Sequence, residues 1–266
     1  NYQSNMLIRK NGKGLLIDAG SDLRWSLQRP KLSYKDIHAV YISHLHGDHA
    51  GGLEYLAFCN YFDPSIQEPP QLIANSEIMR ALWSHTLQGG LQSVQGRRMN
   101  VTDYFTVTSV PKNGRFYWEG ITFELVQSVH IMDGYAIVPS YGLMISDPKL
   151  AEGPVNKVFI TGDTQFNPNQ IMTFYGAANL IIQDCETMYR SGVHAHYDEL
   201  RTLPPEVKAK MLLTHYQDNV IDPQKGGILP EWQERARQDG FTFGFAWRDL
   251  ELCTNDSIDL RKIVQL

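Results

Sequence analysis

Four side chains able to bind a metal fall within six consecutive residues, His44-Leu45-His46-Gly47-Asp48-His49. Neutral imidazole offers a nitrogen lone pair and aspartate a hard carboxylate oxygen. That mixture suits zinc, manganese or iron better than calcium or magnesium. Two histidines two positions apart in a loop can converge on one ion, and the Asp and His that follow can turn to a second. A polar loop with incidental histidines is the plainer alternative, but three of the nine histidines in the chain cluster here with an aspartate. Further along, His130, Asp163 and His215 each follow a strand-like apolar run, in FELVQSVH, KVFITGD and KMLLTH. One histidine at a strand end is usually a structural residue. Three polar residues placed alike strengthen the metal reading.

These residues need elements to position them. Asn5–Ile8 and Gly14–Asp18 flank the turn pair Asn11-Gly12, the pattern of a β-hairpin. Ser21 reads as the N-cap of a short helix that stops before Pro30. Ile37–Ser43 reads as a buried strand running into the HLHGDH loop, and Leu53–Phe58 as helical. Residues 60–115 look irregular, with Pro64, Pro69 and Pro70 marking a loop. Within them Asn75–His85 has helical spacing with Asn75 as cap, and residues 88–100 are a candidate inserted or mobile segment. Strands are expected at Thr122–Val129, Tyr141–Ser146, Lys157–Thr161, Leu180–Asp184, Lys210–Thr214 and Phe241–Phe245, with a helix at Pro230–Gln238. Interleaved strands and helices make this a layered α/β protein. It is read as a single domain over 1–266, with a cap or insertion around 60–115.

At 266 residues the chain can bury a substantial core without disulfides. Its net charge of −5 argues against a surface devoted to a polyanion such as duplex DNA. Three cysteines do not form a disulfide framework, which fits a reducing cytoplasm. No apolar run reaches membrane-spanning length, and the opening NYQSNMLIRK does not read as a signal peptide.

HLHGDH, the later His130, Thr161-Gly162-Asp163-Thr164 and Thr214-His215 together resemble the ordered motifs of the metallo-β-lactamase superfamily. The early LLIDAG resembles that superfamily's opening strand, where Asp18 would support the metal loop. The resemblance spans about residues 5–216 and implies a four-layer αββα sandwich. It implies that His44, His46 and His130 hold one divalent transition-metal ion and Asp48, His49 and His215 a second, with Asp163 bridging. Zinc is the expected metal, with manganese or iron as alternatives, and ions about 3.5–4 Å apart are usual for such a pair.

Within the superfamily, the pattern resembles the ribonuclease Z and cyclic-phosphodiesterase branch. SGVHAHYDEL precedes the last ligand where that branch places a catalytic histidine that does not bind metal. His194 and His196 are the candidates, beside Asp48 in the catalytic set, and Asp184 or Glu186 could orient the histidine. Cys185 reads as a small buried residue. A substrate-clamping arm of the transfer-RNA nucleases is not recognisable, so nucleic acid is not favoured. The expected reaction is metal-dependent hydrolysis of a small or cyclic nucleotide phosphodiester. Tyr61, Phe62, Trp83, Tyr104, Phe105, Tyr135 and Tyr141 are candidate base contacts, and a homodimer is compatible. A tRNA-processing nuclease, an arylsulfatase or lactonase, and a non-hydrolytic di-iron oxygen sensor stay open as alternatives.

Overall fold

The computed structural model describes residues 3–147, 157–247, 253–255 and 257–259. They group into two units, one running up to Gly114 and one beginning at Arg115. No helix among the described residues is long and apolar enough to cross a membrane.

The first unit opens with β1 (Met6–Lys10) and β2 (Lys13–Ile17), an antiparallel hairpin. Its turn residues Asn11 and Gly12 have φ of 53° and 77°. Two consecutive left-handed residues make the tight turn whose twist matches the flanking strands, hence the Asn-Gly pair. The chain continues through helix α1 (Leu23–Gln28), β3 (Ala39–Ile42), the one-turn helix α2 (Gly47–Ala50) and helix α3 (Leu53–Phe62). Then come β4 (Gln71–Asn75), α4 (Ser76–Leu82), a π-helical turn (Trp83–Leu87) and α5 (Gln88–Leu91). A small ribbon, β5 (Ser93–Val94) with β6 (Arg97–Arg98), precedes β7 (Thr106–Val110). The sheet order is β1-β2-β3-β4-β7, parallel from β2 onward. Every residue of β3 is buried, as expected for a parallel strand covered on both faces.

The second unit begins with β8 (Arg115–Trp118) and β9 (Ile121–Gln127). A short hairpin follows, β10 (Met132–Asp133) with β11 (Ala136–Ile137), and then β12 (Tyr141–Ser146) and β13 (Lys157–Ile160). Helix α6 (Pro168–Ala177) packs on β13 and leads to β14 (Leu180–Asp184). Two single turns, α7 (Tyr197–Leu200) and α8 (Pro205–Lys208), precede β15 (Met211–Thr214), and α9 (Pro230–Gln238) follows it. A final antiparallel pair joins β16 (Cys253–Asn255) to β17 (Ser257–Asp259). The main sheet has the order β15-β14-β13-β12-β9-β8.

Direction in this sheet decides where polar residues collect. β13, β14 and β15 are mutually parallel. β9 is antiparallel to β12, which is antiparallel to β13, so β9 points the same way as the parallel three. The carboxyl ends of β9, β13, β14 and β15 therefore share one edge, the position where α/β sheets build sites. A cluster including Phe159, Tyr175, Ile181, Tyr197, Leu213, Phe241 and Phe245 forms the core beneath it. Gly142 in β12 lies where the strand meets the end of β13. A Cβ there would come 2.4 Å from the Ile160 carbonyl oxygen and 2.5 Å from that of Thr161.

Three sequence expectations change. The cap of α1 is Asp22, and it makes no side-chain capping bond; Ser21 instead donates its hydroxyl to Gln3. Residues 60–115 carry β4 and β7, two strands of the first sheet, as well as helices. Phe241–Phe245 makes only one isolated bridge, from Phe245 to Leu213. Asn75 does cap α4, accepting from the Glu77 N–H at 2.9 Å.

Candidate metal centre

In the first unit, parallel β2 and β3 end side by side and deliver Asp18 next to Ser43. Asp18 is buried, with φ of 60°. Its Oδ1 accepts the Ser43 N–H at 2.8 Å, and its Oδ2 accepts the Ser43 hydroxyl at 2.7 Å and the His49 Nδ1–H at 2.8 Å. A carboxylate only accepts, so Nδ1 of neutral His49 carries the proton and Nε2 presents its lone pair. That Nε2 lies 3.4 Å from Asp48 Oδ2, two acceptors turned toward each other, an arrangement a cation relieves. His44 is buried with Nδ1 3.0 Å from Ser43 Oγ, and its ring centroid is 4.5 Å from that of His46 and 4.1 Å from that of His49. His46 is exposed and starts α2. Asp18 thus supports the loop as the resemblance implies. Ser43, which ties Asp18 to the first histidine, was not singled out; its only signal is a small polar residue directly before the motif.

In the second unit, Asp163 is buried at the end of β13, and its carboxylate is the point on which three histidines converge. Oδ2 lies 3.6 Å from His130 Nε2, 3.6 Å from His215 Nε2 and 4.0 Å from His194 Nδ1. His130 donates Nδ1–H to the Val193 carbonyl at 2.8 Å, which leaves Nε2 as the lone pair facing Asp163. Burial lowers the His130 pKa, outweighing the charge of Asp163, so the ring is held neutral and able to act as a ligand. His215 has φ of 60°, a left-handed conformation that costs a non-glycine residue about 1–3 kcal/mol and concentrates at functional positions. Ligand atoms of Asp163, Asp184, His194 and His215 all lie within 4.8 Å of one another. Imidazole nitrogens grouped with carboxylate oxygens fit a divalent transition-metal ion.

Asp184, at the end of β14, is the organiser of this edge. Its Oδ2 accepts the Thr164 N–H at 2.9 Å and bonds His194 Nδ1 at 2.8 Å, and its Oδ1 is 3.4 Å from His215 Nδ1. Burial pulls the His194 pKa down. The hydrogen bond and charge of Asp184, helped by Asp163, outweigh it, and the net shift is upward. Glu186 serves the loop instead, accepting the Ser191 N–H at 2.8 Å. Of the two histidines in HAH, only His194 joins the Asp163 group. His196 caps α7, its Nδ1 accepting the Asp198 N–H at 3.1 Å while its own N–H donates to Glu199 at 3.0 Å. Cys185 is fully buried, which raises its thiol pKa well above the usual value and fits an inert residue. Among the aromatic candidates Tyr104, Phe105 and Tyr141 are core residues, whereas Tyr135, in the β10–β11 turn, is fully exposed.

The family model described as Anti-Pycsar protein Apyc1 matches residues 1–228. The Anti-Pycsar protein Apyc1 of Paenibacillus harenae is 32% identical over 225 residues, covering 84% of this chain and 86% of that protein. Among solved structures, the metallo-β-lactamase fold protein YhfI from Bacillus subtilis superposes with a TM-score of 0.64 at 18% identity, covering 92% of this chain and 88% of that one. Zn(2+)-bound PqqB from Methylobacterium extorquens gives a TM-score of 0.64 at 15% identity, covering 92% and 85%. The fold expected from the motifs, that of the metallo-β-lactamases, is the one these structures share with the chain.

Proposed function

Because the chain belongs to the Anti-Pycsar protein Apyc1 family and is a metal-dependent phosphodiesterase, we propose that it hydrolyses a cyclic nucleotide at a metal centre. In this reading His44, His46, Asp48, His49, His130, Asp163 and His215 hold two divalent ions. Zinc is favoured by the donor set and by the zinc-bound protein of similar fold. When bound, such ions neutralise phosphate oxygens and acidify the water that attacks phosphorus.

The chain's own residues do the rest. Asp18 fixes the His49 tautomer through Nδ1, and the Val193 carbonyl does the same for His130. His194 is the general acid: Asp184 holds Nδ1–H, and the proton given to the leaving ribose oxygen departs from Nε2. An imidazole whose pKa is shifted upward keeps that proton near neutrality. His196 is assigned to the capping of α7. The free thiols Cys59 and Cys185 are in keeping with a cytoplasmic setting.

The observation that carries the reading is the placement of the Asp184–His194 pair against Asp163. A panel of cyclic nucleotides, bis-p-nitrophenyl phosphate, an aryl sulfate and a lactone, run on protein of measured metal content, tests it. Cyclic-nucleotide turnover that disappears on chelation and returns with metal is expected. Turnover of the lactone alone overturns it.

A further inference from the structure

The turn α7 begins directly after His194-Ala195-His196 and is held from two sides. On one side the Glu186 N–H donates to the Ala195 carbonyl and the Tyr197 N–H donates to the Glu186 carbonyl, both at 2.9 Å. On the other side lies Arg235 of α9. Its guanidinium sits 4.7 Å from the Tyr197 ring centroid and 5.1 Å from that of Trp232. The same group pairs with Asp198 Oδ1 at 2.9 Å. Asp198 in turn donates its N–H to His196 Nδ1, closing the cap. The buried Tyr197 also donates its hydroxyl to Asp239 Oδ2 at 2.8 Å, and Arg235 Nε lies 4.0 Å from that same oxygen.

Arg235 therefore grips two consecutive residues of α7, three and four positions beyond His194. An exposed ion pair contributes little stability by itself. A planar guanidinium that stacks on aromatic rings and meets a carboxylate instead fixes geometry, which an ammonium does less well. General-acid catalysis is sensitive to that geometry, because displacements on the order of 1 Å can cost about 100-fold in rate.

We propose that Arg235 is a positioning residue for His194, holding the HAH segment in register so that His194 stays on Asp184. This rests on the general-acid reading of His194. The test is a double-mutant cycle in the metal-loaded full chain, using Arg235→Ala, Arg235→Lys, His194→Ala and the Arg235→Ala/His194→Ala pair. Metal content and thermal midpoint are recorded for each. Arg235→Ala should lower kcat about 10-fold with KM within about 2-fold and metal retained, and Arg235→Lys should recover part of the loss. In the His194→Ala background, Arg235→Ala should add nothing to the loss of kcat. Wild-type kcat in Arg235→Ala, or a loss of equal size in both backgrounds, overturns the positioning role. Full activity in His194→Ala overturns the reading beneath it, and the two failures are told apart by which single variant keeps its turnover.

Discussion

Asp184 Oδ2 lies 2.8 Å from His194 Nδ1 and also accepts the backbone N–H of Thr164 at 2.9 Å. One buried carboxylate thus fixes both the candidate acid and the turn that carries Asp163.

Removing the charge of Asp184 should separate protonation from geometry. A general acid works while protonated, so turnover falls as pH rises through its pKa, and Asp184 raises that pKa. Asp184→Asn therefore moves the alkaline limb of the kcat profile to lower pH and lowers the plateau about 10–100-fold. An alkaline limb left in place in a kcat–pH series would contradict the pairing.

Metal retention should divide the site residues into two groups. His194→Ala is expected to keep its metal and lose about 10²–10⁴-fold in kcat. Asp163→Ala is expected to lose both, because three histidines converge on that carboxylate. Elemental analysis of the purified variants, set beside their rates, checks this.

Asp18 should act on metal affinity without touching substrate. Its carboxylate orients His49 and braces Ser43. Asp18→Asn should weaken metal binding about 10–100-fold, as replacement of residues that orient metal ligands commonly does. Competition with a chelator of known affinity measures it.

Gly142→Ala should cost stability. The new methyl meets two carbonyl oxygens at 2.4 and 2.5 Å, at the end of the strand that leads to Asp163. Overpacking of this kind costs about 1–3 kcal/mol. A lowered urea midpoint is expected, with weaker metal uptake alongside.

Much of this was legible in the sequence, for identifiable reasons. HLHGDH is contiguous, so its meaning needs no tertiary structure. His130, Asp163 and His215 are each announced by an apolar strand. The pairing of Asp184 with His194 is set by β13, β14 and β15 ending on one edge, and the choice between His194 and His196 by which ring the α7 cap consumes. The first does not depend on local pattern; the second turns on a local cap made by histidine, which is not among the usual capping residues. β7 escaped notice because its sequence TVTSV is polar and partly exposed, and β4 because QLIAN lies between the Pro69-Pro70 loop signal and the Asn75 cap.

The histidines and carboxylates of the second unit come from separate strands and loops between positions 130 and 215, brought together only by strand register. Closing such long loops is an entropic cost that the sheet must meet first. An ion cannot template this scaffold as zinc templates a finger, where apo-protein is unfolded. Loading is therefore expected to be a late event, onto an edge that the sheet has already built. Chelation should accordingly silence the enzyme while leaving its far-ultraviolet circular dichroism unchanged.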